Sequence, residues 1–204
     1  MDKTLKFIIC LMVVLSFSNI AYAEGTPYLS FNLGVTSAND SDVEFNSGYN
    51  TFAEYKTGYA FSGAIGLEIN KRIRVETEIS YQNNDIGDMG ILKVNGGAKI
   101  LSILVNNYIN IVKNQKVTPY LCAGFGMARV SVDDITTSGS GGYMSGDDDT
   151  VVAFQVGTGV GIALNEHATL DIMYRFFKTQ DINFEIAKSE FSSNNLYLGL
   201  RFPF

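Results

Sequence analysis

The residues from Asn194 to Phe204, NNLYLGLRFPF, alternate without a break. Leu196, Leu198, Leu200, Phe202 and Phe204 fall on one parity, and Asn195, Tyr197, Gly199, Arg201 and Pro203 on the other. A period of two is the mark of a strand with one apolar face. The pattern recurs in PYLSFNLGVTS, YAFSGAIGLEI, IRVETEISYQ, TVVAFQVGTGVGIAL and TLDIMYRFF. ILSILVNNYINI and PYLCAGFGMARV follow it less cleanly, which brings the number of strands to eight. Upstream of Ile100, KVNGGAK places Lys93, Asn95 and Lys99 on the face that Leu101 and Ile103 then occupy. That switch predicts either a bulge near Lys99, made easy by Gly96 and Gly97, or a strand that starts late.

The connections alternate in length. Asn70 to Arg72, Val112 to Val117 and Asn165 to Ala168 are tight turns. Ala38 to Gly58, Asn83 to Ile91, Asp133 to Asp149 and Lys178 to Ser193 are long and polar. Short and long connections in strict turn predict an all-β, eight-stranded antiparallel up-and-down barrel. Which face is apolar decides between a soluble carrier and a transmembrane barrel. The non-apolar parity is dominated by Gly, Ala and Ser, with single charges at Glu68, Arg74, Glu76, Glu78, Asp171, Arg175 and Arg201. Small residues and charges of opposite sign suit the crowded inside of eight strands, where side chains just fill the lumen. These seven residues are therefore expected to form a lumen ion network. On the other face Arg129 comes only at a strand end, where a lipid interface would begin. An unpaired Arg or Lys at mid-bilayer would cost about 2–4 kcal/mol. Strands of about 9–11 residues match a tilted membrane crossing.

The barrel does not include the first residues. MDKTLKFIICLMVVLSFSNIAYAEG carries Lys3 and Lys6, an apolar run from Phe7 to about Phe17 and a small-x-small site at Ala21-Tyr22-Ala23. This predicts a secretory signal peptide over residues 1–23, cleaved near Ala23, and a barrel over 24–204. Cys122 is then the one cysteine left, so no internal disulfide is expected. Losing Lys3, Lys6 and Asp2 moves the net charge from −6 to about −7, which argues against nucleic acid as a partner.

An apolar alternating strand that ends in phenylalanine resembles the signal that bacterial outer-membrane proteins present to their barrel-assembly machinery. That resemblance implies the role for Leu198, Leu200, Phe202 and Phe204. TPYLCAGFGMARV, LDIMYRFF and VAFQVGTGVGIAL resemble three strands of the small outer-membrane β-barrel superfamily. The superfamily includes opacity-type surface antigens, OmpA-like transmembrane domains and alphaproteobacterial surface antigens. Membership implies a multi-pass protein of the outer membrane, in contact with its lipid. Cys122 departs from the pattern, standing where a glycine is usual.

Chemistry is sparse on this reading. The single histidine, His167, falls in a tight turn and reads as a surface residue there before it reads as a catalytic base, and without it no Ser–His or His–Asp pair can be assembled. Glu76 with Glu78, and Asp171 with Arg175, point inward and read as lumen charges before they read as a catalytic pair. GTGVG at 157–161 lies within a strand, not at a strand-to-helix turn, which removes the phosphate-binding reading. GDDDT at 146–150 offers Asp147 to Asp149 to Ca²⁺, against the plainer reading of solvated acids. No catalytic, cofactor or metal site is expected. What remains is a surface protein, structural or adhesin-like, whose four long loops meet a host or matrix molecule. A narrow diffusion channel is the alternative, and a soluble lipid carrier, which needs the faces reversed, is the third.

Overall fold

The computed structural model describes residues 25–204 apart from 49, 90–91, 113–115, 138–142 and 185–186. The signal-peptide expectation for residues 1–23 lies outside these, as does part of the long connection from Asp133 to Asp149. Fourteen strands follow in chain order: β1 (Thr26–Ala38), β2 (Ser41–Phe45), β3 (Asn50–Tyr55), β4 (Gly58–Glu68), β5 (Ile73–Met89), β6 (Leu92–Asn110), β7 (Val117–Val132), β8 (Ile135–Thr137), β9 (Tyr143–Met144), β10 (Asp147–Asn165), β11 (Ala168–Thr179), β12 (Ile182–Asn183), β13 (Ala187–Ser189) and β14 (Ser192–Pro203).

Eight of them close a ring. β1 pairs with β4, and the ladder runs on through β5, β6, β7, β10, β11 and β14, every pair antiparallel. β14 then pairs back onto β1 from Tyr28↔Pro203 to Ala38↔Ser193. Closure leaves no free edge on the wall, which a membrane requires of any sheet. At one end the strands are joined by tight turns. Asn70 Oδ1 accepts the N–H groups of Arg72 and Ile73 at 2.8 and 3.0 Å, and Asn165 Oδ1 that of His167 at 2.8 Å. An asparagine side chain of this kind stands in for a backbone acceptor and fixes the reversal.

The faces fall as the alternation requires. Phe31, Leu33, Phe61, Ile79, Ile103, Phe125, Phe154, Leu196, Leu198 and Phe202 are exposed on the outside, while Arg74, Glu76, Glu78, Asn106, Gln155 and Arg175 are buried within. This is the reverse of a soluble carrier. Leu67 departs from its neighbours: it lies on the outer parity but is buried, with Gly25 packed against its side chain. Inward glycines face tyrosines across the ladder, in the pairs Tyr28↔Gly66, Gly34↔Tyr197 and Gly159↔Tyr120. A Cβ on Gly159 would stand 2.6 Å from the Tyr120 hydroxyl, so the absence of a side chain is what lets the ring lie flat.

Two expectations are corrected. The wall strands run from 11 to 19 residues, so all but β4 extend beyond a membrane crossing, and the long connections carry the six short strands. The second correction is that β6 has no bulge at Lys99: the ladder to β5 is regular from Ile73↔Ile109 through Asn83↔Lys99 to Ile86↔Gly96, and it shifts only between Ile86 and Asp88. Lys99 is polar on the outer parity because the strand has left the apolar band, not because it has turned over. Three outward cations mark that edge, each with an acid: Lys99–Asp133 at 2.7 Å, Arg129–Asp148 at 3.0 Å and Lys178–Glu190 at 2.8 Å.

Candidate functional site

Among the described residues, the buried charged side chains converge in the lumen. Nearest the tight turns, Arg201 donates through Nη1 to Glu68 Oε1 at 2.9 Å and through Nε to Asp171 Oδ2 at 3.2 Å. One level up, Tyr28 donates to Glu76 Oε1 at 2.8 Å. Arg74 is held chiefly by rings, its guanidinium carbon 4.4 Å from the centroid of Tyr108 and 4.8 Å from that of Tyr120. A buried guanidinium over an aromatic face gains from the ring's negative centre while staying charged.

The middle of the lumen is spanned by Arg175 and Glu78. Nη1 donates to both carboxylate oxygens, at 2.7 and 2.6 Å, and the two side chains are almost fully buried. The pair is enclosed by further donors. Ser62 Oγ donates to Glu78 Oε2 at 3.1 Å, Asn32 Nδ2 to Ser62 Oγ at 2.9 Å, and Arg175 Nη2 to the Tyr108 hydroxyl at 3.2 Å. A desolvated pair gains only if its remaining donors and acceptors are met, and here most are. All seven charged residues singled out from the sequence thus sit inside. Their partners differ from strand neighbours: Asp171 meets Arg201 and Arg175 meets Glu78, because four residues of one strand span roughly 13 Å, too far for contact.

Above this layer the filling changes character. Ile100, Leu104, Val130, Ala153 and Phe177 from the wall pack with Ile182 and Phe191 from the last long connection, every one 2 % exposed or less. Alternation hides this cap, because Ile100 and Leu104 stand beside outward Leu101 and Ile103 and the run ILSILV then reads as apolar on both faces. Inward tyrosines on four strands are the other feature to which the sequence reading gave no role.

The remaining candidates do not converge. His167 is exposed in its turn. Asp147, Asp148 and Asp149 begin β10, so the strand sends them to alternate faces. Asp148 pairs with Arg129, while Asp149 Oδ2 accepts the Asn183 N–H at 3.0 Å. Among the described residues no group of three His, Cys, Asp or Glu is placed to hold a metal.

A closed eight-stranded barrel, apolar outside and polar within, with matching sequence over most of its length, settles the family. The model of the outer membrane protein β-barrel domain matches residues 7–204. The chain belongs to this family. Among relatives of this outer-membrane barrel, outer membrane protein PagN of Salmonella typhimurium is 23% identical over 237 aligned positions, covering 97% of this chain and 98% of PagN. Of solved structures, Neisserial surface protein A superposes with a TM-score of 0.56 at 21% identity, over 87% of this chain and 97% of its own. The outer-membrane protease OmpT of Escherichia coli does so with a TM-score of 0.58 at 8% identity, over 88% and 97%. At these identities the two structures speak for the barrel fold alone.

Proposed function

We propose that this outer-membrane barrel is a surface protein. It carries its strand-built loop end outward as a contact surface, adhesin-like in the broad sense, and passes no solute. The observation that supports this is a lumen filled at two successive levels, by the Arg175–Glu78 pair and then by the apolar cap over Phe177. A channel needs a continuous wet path, and eight strands leave little room for one. In this reading residues 1–23 are a cleaved leader and residues 24–204 the barrel. The tight turns face the periplasm, and the apolar series Leu198, Leu200, Phe202 and Phe204 serves as the assembly signal. The protein is not an enzyme in this reading: OmpT shares the barrel, and a shared barrel carries no catalytic residues with it.

Two measurements test it. Protease added to intact cells should cut within the long connections, between 38 and 58 or between 178 and 193. The purified protein, shown to be folded by its gel mobility before and after boiling, should leave a planar bilayer silent. Discrete conductance steps would transfer the reading to the narrow channel, lined by Glu68, Arg74, Glu76, Glu78, Arg175 and Arg201.

A further inference from the structure

The tight turns end the barrel close under its apolar band. Ile69 and Ile73 flank Asn70-Lys71-Arg72, Val117 follows Lys116, and Leu164 precedes Asn165-Glu166-His167, and all four apolar residues are exposed. No spacer separates the last apolar residue from the turn. Two residues of extended chain span roughly 7 Å, and the headgroup layer is about 5–7 Å deep on each side of the hydrocarbon. The turn residues therefore stand at the level of the lipid phosphates. At the other end the wall runs on past the band, with β5 reaching Met89 and β6 starting at Leu92.

These turns are basic in an acidic chain. Lys71, Arg72 and Lys116 are exposed, Glu166 is the one exposed acid among the described turn residues, and the chain as a whole carries −6. Among the described residues none of the three cations has an ion-pair partner, whereas Lys99, Arg129 and Lys178 at the far edge of the band each have one. The turns are also tied to one another. The Asn110 backbone N–H donates to the Arg72 carbonyl at 2.8 Å, Asn110 Nδ2 to the Lys71 carbonyl at 3.0 Å, and the Ala163 N–H to the Lys116 carbonyl at 2.9 Å. With the Asn70 reversal, these bonds hold the three cations at one height on a fixed rim. A guanidinium and two ammonium groups there match phosphate oxygens, the arginine through its fork and the lysines as point charges.

We infer that this rim is a lipid-binding collar that gathers anionic glycerophospholipids, through their phosphates, in the leaflet it meets. Level selects the occupant as much as charge does. A soluble polyanion would have to enter the headgroup layer to reach these side chains, while a lipid phosphate already lies there. The inference needs the barrel to cross a bilayer. It does not need the surface reading, which adds only that this leaflet is the periplasmic one.

The test uses the full protein, shown to be folded by its gel mobility, in phosphatidylcholine vesicles with a trace of spin-labelled phospholipid. Electron spin resonance reads the fraction of label slowed at the protein surface. Phosphatidylglycerol label should be retained over phosphatidylcholine label by about two- to fivefold at low salt, the scale of one surface cation's attraction. Near parity should return at about 1 M salt, where charges are screened within roughly 3 Å. Lys71→Gln, Arg72→Gln and Lys116→Gln combined should bring parity already at low salt, and the salt series on the unaltered protein carries the test if that variant fails to fold. Arg129→Gln with Asp148→Asn removes a cation that is already paired and should keep the selectivity. Equal retention of both labels by the unaltered protein overturns the inference. So does selectivity that survives the triple replacement or high salt, or that is lost in the Arg129–Asp148 double replacement. Release of the phosphatidylglycerol label by millimolar inorganic phosphate overturns it too, since that marks a phosphate site and not a lipid collar. Its failure is distinct from that of the surface reading. Protease that cuts the long connections on intact cells keeps the surface reading whatever the labels show. Label selectivity in vesicles keeps the collar even if protease never reaches those connections.

Discussion

The middle of the barrel and its loop end are filled by the same strands with opposite chemistry. At mid-height the wall is apolar outside and holds Arg74, Glu76, Glu78 and Arg175 inside; toward the loops it is polar outside and holds Ile100, Val130 and Phe177 inside. β6 passes from one regime to the other. Its outward residues run Ile109, Asn107, Val105, Ile103, Leu101 and then Lys99, and its inward ones Tyr108, Asn106, Leu104, Ser102, Ile100, Ala98 and Val94. The reason is what each level has to pack with. At mid-height, among the described residues, the lumen is filled from the wall strands alone, by long side chains that reach across it, charged ones and the cluster of Tyr108, Tyr120, Met173 and Tyr197, and the lipid takes the apolar face. At the loop end the connections fold over and contribute Ile182 and Phe191, and an ordinary apolar core with a charged surface becomes possible. One strand thus serves two solvents.

The largest expected effect is at mid-height. Glu78→Ala leaves the Arg175 guanidinium buried without its carboxylate, and breaking a buried pair this way costs about 3–5 kcal/mol. The chain has no tryptophan, so the loss is best read as the urea midpoint of the shift between folded and heat-denatured gel bands. Arg175→Met added to Glu78→Leu should recover much of it. A double replacement as unstable as the single one would mean that the pair's neighbours, not its charges, hold the layer. We also expect Glu78→Ala to leave a planar bilayer silent, because the apolar cap still closes the lumen. Conductance from that variant alone would show that the cap does not seal.

The second effect probes the cap. Leu104→Ala removes a side chain that is 1 % exposed and should cost about 2–5 kcal/mol in the same gel assay. Leu104 faces Glu78 across the β5–β6 ladder, so the two costs should couple and the double replacement should depart from their sum. The third probes the lipid face. Phe125 is outward and exposed, and Phe125→Arg places a cation in the apolar band at about 2–4 kcal/mol. Its cost should be clearly larger than that of truncating Arg129, which lies at the polar edge and pairs with Asp148 in the open.

The barrel was legible because it depends on parity alone. Any strand that separates lipid from a crowded lumen must alternate, and inward glycines such as Gly66 and Gly159 betray the tyrosines opposite them only once register is known. The seven lumen charges were legible as inward residues for the same reason. Their partners were not, since which arginine meets which acid depends on barrel closure, as in Asp171 with Arg201 and not with Arg175. The cap was missed because its inward residues Ile100 and Leu104 abut outward apolar ones, and because its lid comes from segments that read as polar loops. SDVEF and NTFAEY alternate too, but over stretches too short to stand apart from their acidic surroundings. Lys99 misled for a physical reason: polarity on the outer parity was read as a change of face when it was a change of solvent.

The smallest effect sharpens the loop end itself. Asp134 follows β7 and clips the β8–β9 hairpin, accepting the Gly146 N–H at 2.8 Å and the Tyr143 hydroxyl at 3.0 Å. The backbone donor first, and the tyrosine second, stabilise the charged carboxylate and hold Asp134 below the usual aspartate range. A lowered folded value means that the clip contributes fully above the unfolded aspartate pKa, about 3.9. That contribution is lost as pH falls through the folded value. Hydrogen exchange of the backbone at Tyr143 should therefore stay protected from neutral pH to about pH 4 and rise below it. In Asp134→Asn the protection should be weaker at neutral pH and flat with acidification, since nothing is left to titrate. Mid-height amides, on Glu78 and Arg175, should not respond over the same range. If they opened together with Tyr143, the two regions would be one cooperative unit and not two layers that share a wall.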